Sequence, residues 1–344
     1  MSKLNKRLEN IEKTLDLFLP ENVTSSWISQ SFGELNANLS DDFFLNIINP
    51  VRDLVKRGGK RWRPLLCVLS CELAEGDPEK AYPLTPLIEF CHTASLVHDD
   101  IEDKSETRRG APAAHIKYGL DTALNSASWL YFEALNPLIN YKTSESVRAG
   151  IYSLYSQNLR RLHLGQSMDI GWHSNPDIIP SIDEYITMIS LKTGSLAKLA
   201  GELGFTAAGK AMNEILEYGK LMTDMGIGFQ ILDDVKNITD GNAGKKRGDD
   251  IVEGKKSLPV IFYAEENPRG AEKIKLLFKQ AAKEGIESPA VEECISAISS
   301  SRAVKRAENY GKKIVEASLI KLQNNYEQNE AKELIFDLFN TILR

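Results

Sequence analysis

The sequence predicts an all-α protein, and three observations carry that expectation. Apolar residues recur at intervals of three and four through long segments, at 43–55, 65–73, 87–97, 151–164, 185–203, 222–238 and 314–322. Period-two alternation, the mark of a half-buried strand, is scarce. Glycine and proline clusters punctuate the periodic stretches at Gly58-Gly59, Gly76-Asp77-Pro78, Arg109-Gly110-Ala111-Pro112, Asn175-Pro176, 241–248 and Asn267-Pro268-Arg269-Gly270. A chain of 344 residues sits near the size at which chains begin to split. With no Pro/Gly/Ser-rich linker and no internal repeat, however, the pattern predicts one helical domain over 1–344, built of ten or more helices.

Composition narrows the functional classes. Apolar residues at 42% and charged residues at 26% are an ordinary globular balance. A formal charge of -6 argues against broad binding to nucleic acid or anionic lipid, although a small basic pocket can hide in an acidic average. Four cysteines are too few for a disulfide scaffold, and Cys67 and Cys71 lack a second pair to complete a structural metal site. The N-terminus carries charge between its apolar residues and has no secretory core. No run approaches the roughly 18 apolar residues of a membrane span. The expectation is a soluble, cytoplasmic protein without stable membrane insertion.

Taken in chain order, the first chemistry-bearing element is Gly58-Gly59-Lys60-Arg61-Trp62-Arg63-Pro64, a flexible turn that delivers cations to the start of a helix. It lacks the rest of a Walker loop, so nucleotide binding is not implied. Pro86 then opens the next helix, where its missing N–H costs nothing. Along that helix His92, Ser95, Asp99 and Asp103 are spaced three, four and four, and so share a stripe. Cys91 and Ala94 lie beside the stripe and extend it away from the acids. The run His98-Asp99-Asp100-Ile101-Glu102-Asp103 repels itself unless cations neutralise it. A solvated helix end is the bland alternative, but an apolar run leading straight into the acids points to a pocket mouth. Arg108-Arg109-Gly110 follows after a short turn.

Lys192-Thr193-Gly194 places a cation, a hydroxyl and a flexible glycine together. A second acidic cluster, Asp233-Asp234-Val235-Lys236-Asn237, ends another apolar helix, with Asp233 and Asn237 one turn apart. Carboxylate and amide oxygens suit Mg²⁺, which keeps waters and leans on substrate phosphates for its remaining ligands. Lys245, Lys246, Arg247, Lys255 and Lys256 follow. Any one basic run could be a solvated face. Interleaved with two acidic clusters, they are better explained as a diphosphate site, because arginine forks and lysine point charges both suit phosphate oxygens.

These segments closely resemble the trans-type isoprenyl diphosphate synthase (polyprenyl synthetase) family. GGKRWRP, HTASLVHDDIEDKSETRRGAPAAH, GQSMD, KTGSL, FQILDDVKN and GDDIVEGKKSLP occur in family order. The resemblance implies the isoprenoid synthase-type helical bundle around a deep central cavity, usually as a homodimer. It further implies that Lys60, Arg63 and His92 bind isopentenyl diphosphate, with Arg109 reaching the same group. Arg108, Lys192, Thr193, Gln230, Lys245 and Lys255 would serve the allylic prenyl diphosphate. Asp99 and Asp103 would hold two Mg²⁺ ions and Asp233 a third, supported by Asp100 and Asp234, with Gln166 and Asp169 near the metal-bound head group. Asn237 departs from the family's commonest third aspartate, but asparagine is familiar there in eukaryotic-type geranylgeranyl diphosphate synthases, whose first-motif region this chain also resembles.

The implied reaction is head-to-tail condensation: diphosphate departs, and isopentenyl diphosphate attacks the allylic cation left behind. The lysine-rich segment 241–248 would be a moving cover. Product length should be set upstream of Asp99, at Ser95, Ala94 and Cys91, with Trp129 or Tyr131-Phe132 as candidate floor. The small Ala94 and Ser95 point to geranylgeranyl diphosphate, with farnesyl or longer products as alternatives. A terpene cyclase would need a different second motif and no second diphosphate site. A phosphohydrolase would leave the paired arginines unused, and a noncatalytic partner subunit would not need both acidic clusters.

Overall fold

The computed structural model describes residues 3–241 and 247–343, and its described residues form seventeen α-helices and one two-residue ladder. The helices are α1 (Lys3–Phe18), α2 (Ser25–Phe32), α3 (Asp41–Lys56), α4 (Trp62–Leu73), α5 (Pro86–Glu102), α6 (Ala114–Tyr118), α7 (Leu120–Glu133), α8 (Glu145–His173) and α9 (Ile182–Lys192). They continue as α10 (Gly194–Ala207), α11 (Met212–Thr239), α12 (Asp249–Val252), α13 (Leu258–Glu266), α14 (Pro268–Glu284), α15 (Pro289–Ser299), α16 (Ala303–Asn325) and α17 (Glu330–Leu343). The all-α expectation holds. The chain forms two compact units, Met1–Tyr155 with Leu199–Tyr218, and Ser156–Lys198 with Gly219–Arg344. Their boundaries fall inside α8, α10 and α11.

In the first unit α5 is central in sequence logic and in packing. Pro86 occupies its first turn, and Leu87, Ile88, Phe90, Cys91, Ala94 and Val97 are buried against neighbours that include α3 and α7. The helix ends where Lys104 turns left-handed (φ 56°) and the Ser105 amide bonds back to the Asp100 carbonyl at 2.9 Å. The first acidic cluster is therefore presented at a fixed helix terminus. Strands β1 (Thr107–Arg108) and β2 (Ala111–Pro112) pair antiparallel, and both loop residues, Arg109 (φ 53°) and Gly110 (φ 74°), take the positive φ of a tight hairpin turn.

Helix α2 is fastened by a small polar cluster. Asn136 Nδ2 donates to Glu133 at 2.7 Å and to Ser31 Oγ at 2.9 Å, Ser31 Oγ donates to Glu133 at 3.2 Å, and Gln30 Nε2 donates to Asn136 at 3.0 Å. Burial pushes the Glu133 carboxyl from 4.5 up to about 7, against the pull of these donors. Because the folded value lies above the unfolded one, protonation favours the fold. That stability is complete below pH 4.5 and is lost as pH rises through about 7. Urea unfolding should show a fall of up to about 3 kcal/mol between pH 5 and 8 that Glu133→Gln flattens. An unchanged pH profile in the variant would contradict this assignment.

The second unit has a continuous core. Tyr185, Ile189, Ile231, Phe262, Phe278 and Ile295 from α9, α11, α13, α14 and α15 are all buried in it. Helices α13 to α15, where sequence chemistry is sparse, thus contribute to this core. All four cysteines are unbridged and buried, and burial pushes Cys71, Cys91 and Cys294 up to about 12. Among the described residues no helix is long and apolar enough to cross a membrane.

Candidate functional site

The first unit gathers the predicted isopentenyl-side cations and the first acidic cluster. Gly58 (φ 80°) and Gly59 (φ 151°) turn the chain into α4, leaving Lys60 exposed beside the helix start. Gly59 cannot be replaced without strain, because L side chains rarely adopt its φ of 151°, and a Cβ there would also press on the Arg109 guanidinium at 3.0 Å. Arg109 itself donates to the carbonyls of Leu54 (3.1 Å) and Gly58. Arg63 lies over the Trp62 ring at 4.3 Å, and its Nη1 is 3.4 Å from His92 Nε2. Burial, reinforced by Arg63, Arg109, Arg108 and Arg61, drives the His92 imidazole well below its ordinary value. A neutral imidazole accepts at one ring nitrogen and donates from the other, and Arg63, which can only donate, faces Nε2.

The acidic run divides by function. Asp99 and Asp103 lie one turn apart, both partly buried. Asp100 turns inward: Arg108 Nε donates to it at 2.7 Å, and the hairpin is what returns Arg108 to this position. Arg108 also reaches within 3.7 Å of Asp99. Burial raises the Asp100 carboxyl even against Arg108, and its Oδ2 is buried without a hydrogen bond. His98 is not part of the acidic face. Its Nδ1 lies 2.9 Å from the Ala94 carbonyl, and its ring stacks on Tyr131 at 5.7 Å.

The second unit holds four of the predicted allylic-side residues, Lys192, Thr193, Gln230 and Lys255, whereas Arg108 belongs to the first unit and Lys245 lies outside the described residues. A Cβ at Gly165 would stand 2.4 Å from the Lys192 backbone nitrogen, so α8 and the end of α9 approach to a distance only glycine permits. Thr193 caps α9 and Gly194 opens α10, a break that presents Lys192 and Thr193 together. Lys192 Nζ donates to Asp169 at 2.7 Å. Thr193 Oγ1 donates to Gln230 at 2.8 Å, Gln230 Nε2 to Asp234 at 2.9 Å, and the Tyr185 hydroxyl to Asp234 at 2.7 Å. Burial, with Asp250 nearby, pushes Asp234 up to about 7. Gln166 is half-buried on α8, one turn before Asp169, and Lys255 donates to Glu253 at 2.6 Å.

Asp233 and Asn237 lie one turn apart on α11, and Asn237 is fully buried with neither side-chain polar atom hydrogen-bonded. The orphaned Asn237 Oδ1 and the Asp233 carboxylate are oxygen donors of the kind a hydrated divalent cation takes, while Asn237 Nδ2, a hydrogen-bond donor, would need an acceptor instead. Among the described residues no three acidic, histidine or cysteine side chains are already gathered tightly enough to hold a metal unaided.

Several sequence expectations change in detail. Lys256 is not a rim cation: it is 3% exposed, donates to the Gly254 carbonyl at 2.6 Å and lies over the Phe278 ring at 4.4 Å. Lys245 and Lys246, and most of the proposed cover, fall at 242–246, outside the described residues. Of the product-length positions, Cys91 and Ala94 are fully buried and Ser95 partly so. Trp129 stacks on Phe32 at 6.3 Å and meets Trp27 at 6.4 Å, an aromatic cluster that seats α2. Phe132 is 74% exposed and so is not a floor residue within its unit. The residue beneath Cys91 is one the sequence did not single out, Tyr155, whose hydroxyl lies 3.0 Å from Cys91 Sγ and donates to the Tyr131 carbonyl. Its place in the 151–164 apolar repeat was the available signal. An open groove lined by Arg302, Lys305, Arg306, Tyr310 and Lys313 contains no motif residue, and its Arg306 is already paired with Glu265 and Glu266.

The geranylgeranyl diphosphate synthase of Sulfolobus acidocaldarius is 33% identical over 304 residues, covering 80% of this chain and 91% of that protein. The geranylgeranyl pyrophosphate synthase of the fungus Neocamarosporium betae is 33% identical over 248 residues, covering 72% and 69%. In fold, the crystal structure of geranylgeranyl pyrophosphate synthetase from Pyrococcus horikoshii aligns with a TM-score of 0.84 at 24% identity, over 100% of this chain and 97% of that one. The family model for polyprenyl synthetase matches residues 46–298, a span that includes both acidic clusters and every basic residue expected of the site. This chain belongs to the polyprenyl synthetase family.

Proposed function

We propose that this prenyltransferase condenses isopentenyl diphosphate head to tail with an allylic prenyl diphosphate, releasing diphosphate and yielding mainly geranylgeranyl diphosphate. The observation that carries this reading is the presence of two cation sets: Lys60, Arg63 and Arg109 share a unit with the acids of α5, and Lys192 and Lys255 share a unit with the acids of α11. A cyclase or hydrolase handles one diphosphate and has use for one set. Relatives named for geranylgeranyl products support the product. The two units would serve one catalytic domain, acting in the cytoplasm as a homodimer.

In this mechanism Lys60, Arg63 and neutral His92 bind the isopentenyl diphosphate, and Arg109 stiffens the loop that carries Lys60. Lys192 and Lys255 attract the allylic diphosphate, while Thr193 and Gln230 orient it by hydrogen bonding. Asp99 and Asp103, and separately Asp233, would hold Mg²⁺, three ions per site, which when bound neutralises charge developing on the departing diphosphate. Arg108 adds a fixed positive charge beside Asp99. No protein nucleophile is required, because the terminal double bond of isopentenyl diphosphate attacks the allylic cation. Transfer of a proton from the condensed cation to the departed diphosphate then restores an allylic product able to react again.

Purified protein incubated with Mg²⁺, isopentenyl diphosphate and a series of allylic primers should yield elongated prenyl diphosphates on chromatography. Release of phosphate without elongation would reject the reading. The two cation sets should also separate kinetically. Lys60→Ala or Arg63→Ala should raise the isopentenyl KM about tenfold or more, and Lys192→Ala or Lys255→Ala should act on the allylic substrate, as loss of a charge-assisted contact predicts. Equal effects on both saturation curves would remove the division.

A further inference from the structure

Arg61 stands between two residues assigned to isopentenyl diphosphate, yet its side chain faces the other way. It is 5% exposed, and every nitrogen of its guanidinium donates inward. Nε bonds Glu12 Oε1 of α1 at 2.6 Å, Nη1 bonds Glu89 Oε1 of α5 at 2.7 Å, and Nη2 bonds the Val55 carbonyl of α3 at 2.5 Å. Its backbone is left-handed, at φ 47° and ψ 25°. A non-glycine residue holds that conformation at a cost, and it persists where surrounding structure over-determines it. Here three helices do so at once. Glu89 is a carboxylate 2% exposed within an otherwise apolar stretch of α5, one turn before His92. A charge so buried is tolerated because Arg61 completes it.

We infer that Arg61 is a positioning residue rather than a diphosphate ligand: clamped by Glu12, Glu89 and the Val55 carbonyl, it fixes the left-handed turn that aims Lys60 and Arg63, and so makes α1 part of the isopentenyl site. The inference rests on the reading of Lys60, Arg63 and His92 as that site. Its consequence is a sign that simple electrostatics does not give. If Arg61 bound diphosphate directly, deleting the nearby negative charge of Glu12 would tighten isopentenyl diphosphate. If Arg61 positions its neighbours, deleting Glu12 weakens it.

The test is steady-state kinetics on the full chain with both substrates varied, alongside thermal melting. Glu12→Ala, at a partly exposed position, is expected to raise the isopentenyl KM about threefold, and Arg61→Gly, which keeps the positive φ freely but loses the clamp, about tenfold or more, as small misplacements of binding groups do. The allylic KM should stay within about twofold in both, since a loss confined to one substrate is a loss of that substrate's binding. A tighter isopentenyl KM in Glu12→Ala overturns the inference, as does an unchanged one or an equal shift in both KM values. Should Arg61→Gly fail to fold, Glu12→Ala still decides by its sign. Lys60→Ala run in parallel separates the two levels: if it leaves isopentenyl saturation unchanged, the site reading itself fails and the inference falls with it. If Lys60→Ala weakens binding and Glu12→Ala does not, only the positioning role fails.

Discussion

Turnover by Asp99→Ala and by Asp233→Ala is expected to fall about a hundred- to a thousandfold, the scale seen when one fixed stabiliser of a developing charge is removed. Each substitution takes an oxygen donor from a helix, near the end of α5 at Asp99 and inside α11 at Asp233. The left-handed Lys104 and the Ser105-to-Asp100 bond hold the end of α5. On α11 the neighbouring Asp234 is held by Tyr185, Gln230 and, at 3.4 Å, the Leu258 amide. Kinetics should show the loss in kcat more than in KM, with a rightward shift in the Mg²⁺ titration of residual activity. Thermal melting should barely change, because neither carboxylate supports the core. Full activity in a verified metal-free sample of the parent protein would defeat the mechanism outright.

The second large effect concerns the product. Ala94→Phe is expected to move the dominant product from geranylgeranyl towards farnesyl diphosphate. Ala94 is fully buried, and Cys91 lies further along α5, away from the acids, with the hydroxyl of Tyr155 on α8 against its thiol. One helical turn spans about 5.4 Å, roughly one prenyl unit, so a ring at Ala94 would halt the tail about one addition early. Overpacking a close-packed site costs about 1–3 kcal/mol, so helical content and melting must be matched before products are compared. A folded, active variant that kept the parent's product distribution at equal substrate ratios would show that the tail does not pass Ala94.

Much of this was legible in the sequence because helical periodicity and side-chain chemistry are both local. Pro86, the apolar run after it and the acids at its end specify α5 almost without tertiary information. What was not legible depends on direction. In Lys60-Arg61-Trp62-Arg63 three cations look alike, and only the positive φ at residue 61 turns the middle one into the core. The same holds for Lys255 and Lys256, where one step along the chain separates a partly exposed amine from one buried against an aromatic ring. Asp99 and Asp100 divide for a helical reason, about 100° of rotation, but which of them meets Arg108 depends on the hairpin. Tyr185, Glu89 and Tyr155 were hidden differently. Each sits in an apolar repeat where a polar atom is read as incidental, and only a partner distant in sequence, Asp234, Arg61 or Cys91, gives it a role.

The four sequestered thiols also make the chain its own stopwatch. A thiol held at a raised pKa and away from solvent reacts with an alkylating reagent only when its surroundings open. Cys67, Cys71 and Cys91 belong to the first unit and Cys294 to the second. Alkylation followed by peptide mass mapping would therefore time the opening of each unit separately, with no engineered label. Comparing those rates with and without each diphosphate would reveal which unit each substrate steadies.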